Sequence, residues 1–222
     1  MLIHPYSDTH GHQHEICKHL TRLDFVINTG DFKANKIYGC RLLECLGNHD
    51  FYNKNINDFN LEDFRKISII DDYVFLGCTL WTDFWGGCLR LDEYQMLNDF
   101  HLIEGMGVPL MKELYKKDLA FLKKNVKKYN KKKIVIYTHF PPSKKAIHPK
   151  YEGDRLNRYF VNDLDDFILS NPQIKLWIFG HTHTSHDFKI GECRCLCNPR
   201  GYQLKDGTFE NPDFDPNLIV EI

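Results

Sequence analysis

Five short clusters of polar side chains carry most of the chemistry in this chain. They are Asp8-x-His10, Gly30-Asp31, Gly47-Asn48-His49-Asp50, the single His139, and Gly180-His181-x-His183. Each follows an apolar, strand-like run. The donors are carboxylate, imidazole and amide, with no thiolate. That set suits Mn, Fe or Zn better than Cu(I) or an iron–sulfur cluster. Ligands one residue apart, as in Asp8/His10 and His181/His183, suit a loop that reaches a metal with alternate side chains. Asp8, His10, Asp31, Asn48, His139, His181 and His183 together exceed what one tetrahedral zinc takes, whereas two metals sharing a carboxylate would use them all. In Gly47-Asn48-His49-Asp50 an amide adjoins an imidazole, which suggests one group that ligates and one that handles protons or phosphate. Singly, Asp8 and Asp31 are also readable as helix N-caps, and the histidines as surface or core residues. Their joint recurrence at strand ends favours the metal reading.

The elements that must position these residues follow from the apolar pattern. Residues 2–6, 24–28 and 42–46 read as strands. Residues 12–23 read as a helix, with Ile16, Leu20 and Leu23 on one side. Strand, helix and strand in alternation imply parallel pairing through a crossover helix. In α/β proteins, sites form at the carboxyl ends of strands. A glycine there lets the backbone turn where a side chain would clash. If the strands share one sheet, the five clusters converge. Further along, residues 67–70 and 73–81 read as a hairpin, and 82–109 as a long irregular insert. Residues 110–128 read as a helix whose lysine-rich end is a solvated terminus favoured by the helix dipole. Residues 134–137 and 175–179 read as the strands that deliver His139 and Gly180. Residues 160–169 read as a helix, 187–190 and 193–197 as a hairpin, and 218–222 as a last strand.

At 222 residues, with 42% hydrophobic and 27% charged residues, the chain fits one soluble domain spanning 1–222. The formal net charge of -1 supplies no global field toward nucleic acid or membrane. No apolar run approaches the ~20 residues of a membrane span. Twelve histidines are the compositional anomaly. The eight cysteines form no C-x-x-C pair, and no signal-peptide pattern opens the sequence, so they read as reduced thiols of a cytoplasmic protein. Cys193, Cys195 and Cys197 alternate on one strand and read as buried thiols sharing a face. Trp81 and Trp85 read as core residues rather than as a stacking platform.

The ordered set D-x-H, G-D, G-N-H-D, H and G-H-x-H resembles the calcineurin-like metallophosphoesterase family, over Asp8 to at least Asn198. Leu80-Trp81-Thr82-Asp83-Phe84, Tyr151-Glu152-Gly153-Asp154 with Leu156-Asn157, and Cys197-Asn198-Pro199-Arg200-Gly201-Tyr202 are similar to small prokaryotic and phage members. The resemblance implies an α/β fold, a four-layer α/β/β/α sandwich with two mixed β-sheets. It implies two metal ions, divalent or trivalent (Mn, Fe, Zn or Ni). Asp8, His10, Asp31 and His183 would hold the first; Asp31, Asn48, His139 and His181 the second, with Asp31 bridging.

His49 matches the family's non-ligand histidine that faces the scissile phosphate. It is expected to be catalytic together with Asp31, with Asp50 supporting the motif. A hydroxide shared by the metals would attack phosphorus in line, and His49 would act as general acid or transition-state donor. Asn48, His49 and Arg200 are expected near substrate, although Arg200 is as readily a carboxylate partner that fixes the C-terminal loop. The 82–109 insert and the 143–157 loop are expected to border the pocket. The implied function is a metal-dependent phosphohydrolase acting on a small phosphoester. A phosphodiesterase on a small nucleotide or cyclic nucleotide comes first, and a phosphomonoesterase, protein phosphatases included, second. Nucleic acid stays open as a partner through the lysine-rich helix end, readable as a polyanion patch, but is not favoured at a near-neutral charge and compact length. A non-catalytic scaffold of the same fold is the rival class; the full ligand set and His49 argue against it.

Overall fold

A computed structural model describes residues 1–11, 23–31 and 40–222. The strands in chain order are β1 (Leu2–Tyr6), β2 (Phe25–Asn28), β3 (Arg41–Glu44), β4 (Lys54–Asn55), β5 (Lys66–Ile70) and β6 (Tyr73–Cys78). They continue with β7 (Ile103–Glu104), β8 (Lys133–Thr138), β9 (Ile174–Phe179), β10 (His186–Ile190), β11 (Cys193–Cys197) and β12 (Val220–Glu221). The helices are α1 (Leu91–Met96), α2 (Asp99–Leu102), α3 (Val108–Lys128), α4 (Asn157–Phe160) and α5 (Asp165–Leu169). The expected first helix falls on residues 12–22, outside the described residues.

The strands form two mixed sheets, as the resemblance implies, in the orders β12-β1-β2-β3 and β10-β11-β9-β8-β6-β5; β4 and β7 pair separately. The central strands β6, β8 and β9 are near-continuous apolar runs because both of their faces are covered. Phe75, Val135, Tyr137, Leu176 and Ile178 point toward the first sheet and meet Ile3, Phe25 and Ile27. Val74, Leu76, Ile134, Ile136, Trp177 and Phe179 point the other way, into the core that Met111, Leu114, Leu122 and Val126 of α3 complete. The described layers are therefore helix, sheet, sheet. Cys193, Cys195 and Cys197 are all buried in that helix-side core. Trp81 packs there between Phe51 and Phe140, with ring centroids 5.8 and 5.6 Å away.

Two expectations are corrected. The 82–109 insert is not irregular throughout, since it holds α1, α2 and β7. β7 pairs with β4, just past the Gly47-Asn48-His49-Asp50 loop. The helix expected over 160–169 is split into α4 and α5. Between them the backbone N–H groups of Asn162 and Leu164 donate to Pro141 and Pro142, at 3.0 and 2.8 Å. The proline loop after β8 takes these donors and leaves none for a continuous helix.

The two sheets are stitched at one end, where Arg200 N–H donates to Ser7 O at 3.1 Å and His181 N–H to Asp8 Oδ2 at 3.1 Å. Beside this seam Asp8 N–H donates to Gly30 O at 3.1 Å within the first sheet, and Gly180 N–H to His139 O at 3.0 Å within the second. That seam brings the carboxyl ends of β1, β2, β3, β8 and β9 together, from both sheets.

Candidate active site

Strand ends that turn at once into a shared centre leave their mark on the backbone. Asp8, His10, Asp31, His181 and His183 all have positive φ, at 55°, 45°, 57°, 74° and 47°. Non-glycine residues seldom adopt this region, and each such residue costs roughly 1–3 kcal/mol. Five of the ten non-glycine residues with positive φ among the described residues thus belong to the predicted ligand set, backbone strain that the surrounding fold must over-determine. Gly30 and Gly47 allow the close approach. A Cβ on Gly30 would collide with the Gly47 backbone and lie 2.9 Å from His139 Nδ1; one on Gly47 would collide with the Asp31 carboxylate and the His139 ring.

The side chains meet in two groups. Asp8, His10, Asp31 and His183 each present a donor atom, and these atoms all lie within 4.8 Å of one another. His10 Nε2 is 2.9 Å from His183 Nε2, which is 3.3 Å from Asp8 Oδ1. In the second group, His139 Nε2 lies 2.8 Å from Asn48 Oδ1, 3.2 Å from His181 Nδ1 and 3.5 Å from Asp31 Oδ1. Asp31 stands between the groups, with its Oδ2 4.0 Å from His10 Nε2. Asp50 Oδ2 accepts from the backbone N–H of Gly47 at 2.8 Å and of Asp31 at 3.0 Å, which ties the two loops together. Asp31 Oδ1 in turn accepts from His49 N–H at 2.9 Å.

The donor chemistry fits a bound cation at each group. His139 Nδ1–H donates to Thr29 O at 2.8 Å, so its Nε2 carries a lone pair, aimed at the carbonyl oxygen of Asn48. Two acceptors facing each other repel unless a positive charge lies between them. Charge in the site divides the ligands. Burial, with the charges of Asp8 and Asp50, pushes the Asp31 carboxyl well above the ordinary range. Burial lowers His139 and His181, and takes His10 down to about 3. Burial also acts downward on His183, but Asp8 and Glu210 outweigh it and raise the ring to about 10. The neutral imidazoles of His10, His139 and His181 offer lone pairs to a metal, whereas at Asp31 and His183 a metal would displace a proton.

The family model for calcineurin-like phosphoesterase matches residues 1–185. The chain belongs to that family. It is therefore a metallophosphoesterase, a phosphoester hydrolase. An uncharacterized protein of Acanthamoeba polyphaga mimivirus is 26% identical over 86% of this chain and 76% of its own length. Phosphopantetheinyl hydrolase from Mycobacterium tuberculosis shares the fold, with a TM-score of 0.62 and 12% identity, over 90% of this chain and 89% of that one. So does the anchor in the inner membrane complex of Plasmodium, with a TM-score of 0.53 and 11% identity, over 94% and 74%. Among the described residues no helix is long and apolar enough to cross a membrane.

In this phosphoesterase a cavity of about 410 Å³ opens beside the two groups. Asp31, Asn48, His49, His181 and His183 line it, together with Met96 and Leu97 of the insert, Ile147, and Phe160, whose ring centroid is 5.4 Å from that of His181. The insert and the 143–157 loop thus border the pocket. His49 stacks on Tyr52, with ring centroids 4.1 Å apart, and its Nε2 is 3.2 Å from the Tyr202 hydroxyl. Burial, then the neighbouring His139, lowers its pKa to about 4.

Asp8, His10 and His139 lie behind the lining of the cavity, and Arg200 joins neither the lining nor the ligand groups. It is 4% exposed, its Nη2 donates to Thr9 O at 2.6 Å, and its guanidinium lies 4.7 Å from the Phe209 ring centroid. It holds the C-terminal loop against the Asp8–His10 turn, so its expected contact with substrate is replaced by a backbone contact.

Three site residues carry no sequence signal. Glu210 Oε2 accepts from His183 Nδ1–H at 2.6 Å. Asp99, in the insert, accepts from Asn48 Nδ2 at 2.8 Å, and Tyr159 OH donates to the same carboxylate at 2.5 Å. Each reaches the site from a segment with no motif of its own.

Proposed function

We propose that this phosphoesterase hydrolyses a small phosphoester, with a phosphodiester of a small nucleotide or a cyclic nucleotide as the leading substrate class. The observation that carries the reading is the cavity: metal-ligand candidates and His49 share a space of about 410 Å³ with the apolar side chains of Leu97, Ile147 and Phe160. That is the size and make-up of a small-molecule site. The phosphate belongs at the ligand candidates. The ester group belongs against Leu97, Ile147 and Phe160, where aromatic faces can stack on a base. The opening to solvent accommodates a second ester substituent.

Asp8, His10, Asp31 and His183 would hold one metal ion, and Asp31, Asn48, His139 and His181 the other. The oxygen and nitrogen donors suit Mn, Fe, Zn or Ni. Such a pair neutralises phosphoryl oxygens and lowers the pKa of water. The chain's own residues do the rest. Asp31 holds the two ligand groups in one frame and fixes the His49 backbone. His49, clamped by Tyr52 and Tyr202, donates a hydrogen bond to the phosphoryl group or the departing oxygen. The apolar side chains orient the ester and exclude water from it. The complete donor set and the placement of His49 favour this reading over a scaffold role.

The test is a substrate panel on metal-reconstituted protein: cyclic nucleotides, dinucleotides, mononucleotides and phosphopeptides. A preference for small diesters is expected. Hydrolysis confined to monoesters would move the assignment to a phosphomonoesterase. No turnover with two bound metals would refute the catalytic reading for these esters.

A further inference from the structure

We propose that Asp99 is a positioning residue for the second metal group: it orients the Asn48 amide so that its carbonyl, rather than its NH2, faces the metal position. This rests on the two-metal reading above. Asp99 is the first residue of α2, in the insert that no motif explains, and it is 1% exposed. Its partners are neutral donors. Oδ1 accepts from Asn48 Nδ2 at 2.8 Å and from Tyr52 OH at 2.8 Å; Oδ2 accepts from Tyr159 OH at 2.5 Å. It does not cap its own helix, whose N-cap is Asn98.

The reason for a buried carboxylate here lies in the other end of the Asn48 amide. His139 Nε2 carries a lone pair, because Nδ1–H is spent on Thr29 O. Left alone, Asn48 would turn its NH2 toward that lone pair and form an ordinary hydrogen bond. The amide would then have no acceptor to offer a metal. Asp99 prevents the turn. A carboxylate accepts only, so the NH2 must face it, and a bond to a charged acceptor is about twice as strong as one to a neutral nitrogen. The carbonyl oxygen is thereby held 2.8 Å from His139 Nε2. Tyr52 and Tyr159 fix Asp99 from the motif loop and from α4. The insert therefore acts on the metal group at one remove, as outer-shell partners do when they set ligand orientation.

The experiment is calorimetric titration of the metal-free full chain with Mn²⁺, with metal content checked by elemental analysis and the fold by circular dichroism and thermal melting. Wild type is expected to take two equivalents. D99N keeps the volume but places an NH2 against the three donors. It is expected to weaken one equivalent by about 10–100-fold and leave the other unchanged. In an Asn48→Ala background, D99N is expected to add no further loss, because both changes remove the same ligand. D99N with both equivalents at wild-type affinity would overturn the proposal. So would loss of both equivalents together, or a penalty that adds in full to that of Asn48→Ala. Should D99N fail to fold, Tyr52→Phe takes its place. It removes one bond that pins Asp99, and a roughly 2–5-fold loss at the same equivalent is expected by the same outer-shell argument; unchanged affinity would overturn the proposal. A wild type that binds two equivalents but hydrolyses no ester refutes the phosphohydrolase reading and leaves the role of Asp99 standing.

Discussion

Adjacent residues Asn48 and His49 are assigned different work, and the two alanine variants separate it. Asn48→Ala removes a metal-ligand candidate and also one of three donors to the buried Asp99 carboxylate. A hydrogen bond to a charged group contributes about 1.5–3 kcal/mol. In a chain of this size 1 kcal/mol moves the melting temperature by about 2–4 °C. The metal-free variant should therefore melt roughly 3–12 °C below wild type. Its activity should fall and be partly restored by excess metal. His49→Ala deletes a ring that stacks on Tyr52 at 4.1 Å but contacts no ligand candidate through a strong hydrogen bond. Losing such a ring pair costs about 0.5–1.5 kcal/mol beyond area, a smaller shift in melting. Both metal equivalents should remain, while turnover drops by about 10²–10⁴ with no rescue. The assay is turnover against metal concentration, with stoichiometry measured on the same samples. A His49→Ala protein that loses metal, or recovers with added metal, would refute the division of labour.

Three further outcomes follow from local contacts. Gly47→Ala should abolish turnover and lose bound metal. Its Cβ meets the Asp31 carboxylate and the His139 ring, and overpacking of this kind costs about 1–3 kcal/mol; full metal content by elemental analysis would contradict this. Glu210→Gln keeps an acceptor for His183 Nδ1 but removes the charge, so metal affinity should fall about 10-fold at the Asp8/His10/His183 group and hold at the other, as read by two-equivalent titration. Asp118 is buried, pairs with Arg65 at 2.8 Å and accepts from Leu80 N–H at 2.9 Å; burial outweighs these contacts and raises its pKa from 3.8 to about 6. The folded state thus binds the extra proton between these values, and stability is lost as pH rises through about 6. At 1.36 kcal/mol per unit the loss is about 3 kcal/mol. Urea denaturation from pH 4 to 7 should show Asp118→Asn gaining about that much relative to wild type; parallel curves would contradict it.

The candidate ligands were legible because each is local. A strand-like run, a glycine and a donor lie within a few residues, and the chain repeats that arrangement. β1, β2, β8 and β9 were legible for the same reason, as was α3 through its apolar spacing. The allocation of strands to two sheets was not, since an apolar run that is buried on both faces does not say which neighbour covers it. Nor was the break between α4 and α5, because it depends on the carbonyls of Pro141 and Pro142, about twenty residues earlier in the chain. Arg200 could be read as a phosphate ligand from its motif; its burial under Phe209 turns it to the Thr9 carbonyl instead.

By itself the sequence determined the donors, their order and their attachment to strand ends, because covalent neighbours and side-chain chemistry suffice for that. The tertiary structure alone decided how they act together. Asn48 and Asp99 are 51 residues apart, and His183 and Glu210 are 27 apart. Whether the oxygen or the nitrogen of an amide faces a metal position, and which nitrogen of an imidazole keeps its lone pair, depend on partners that only folding brings within hydrogen-bonding distance.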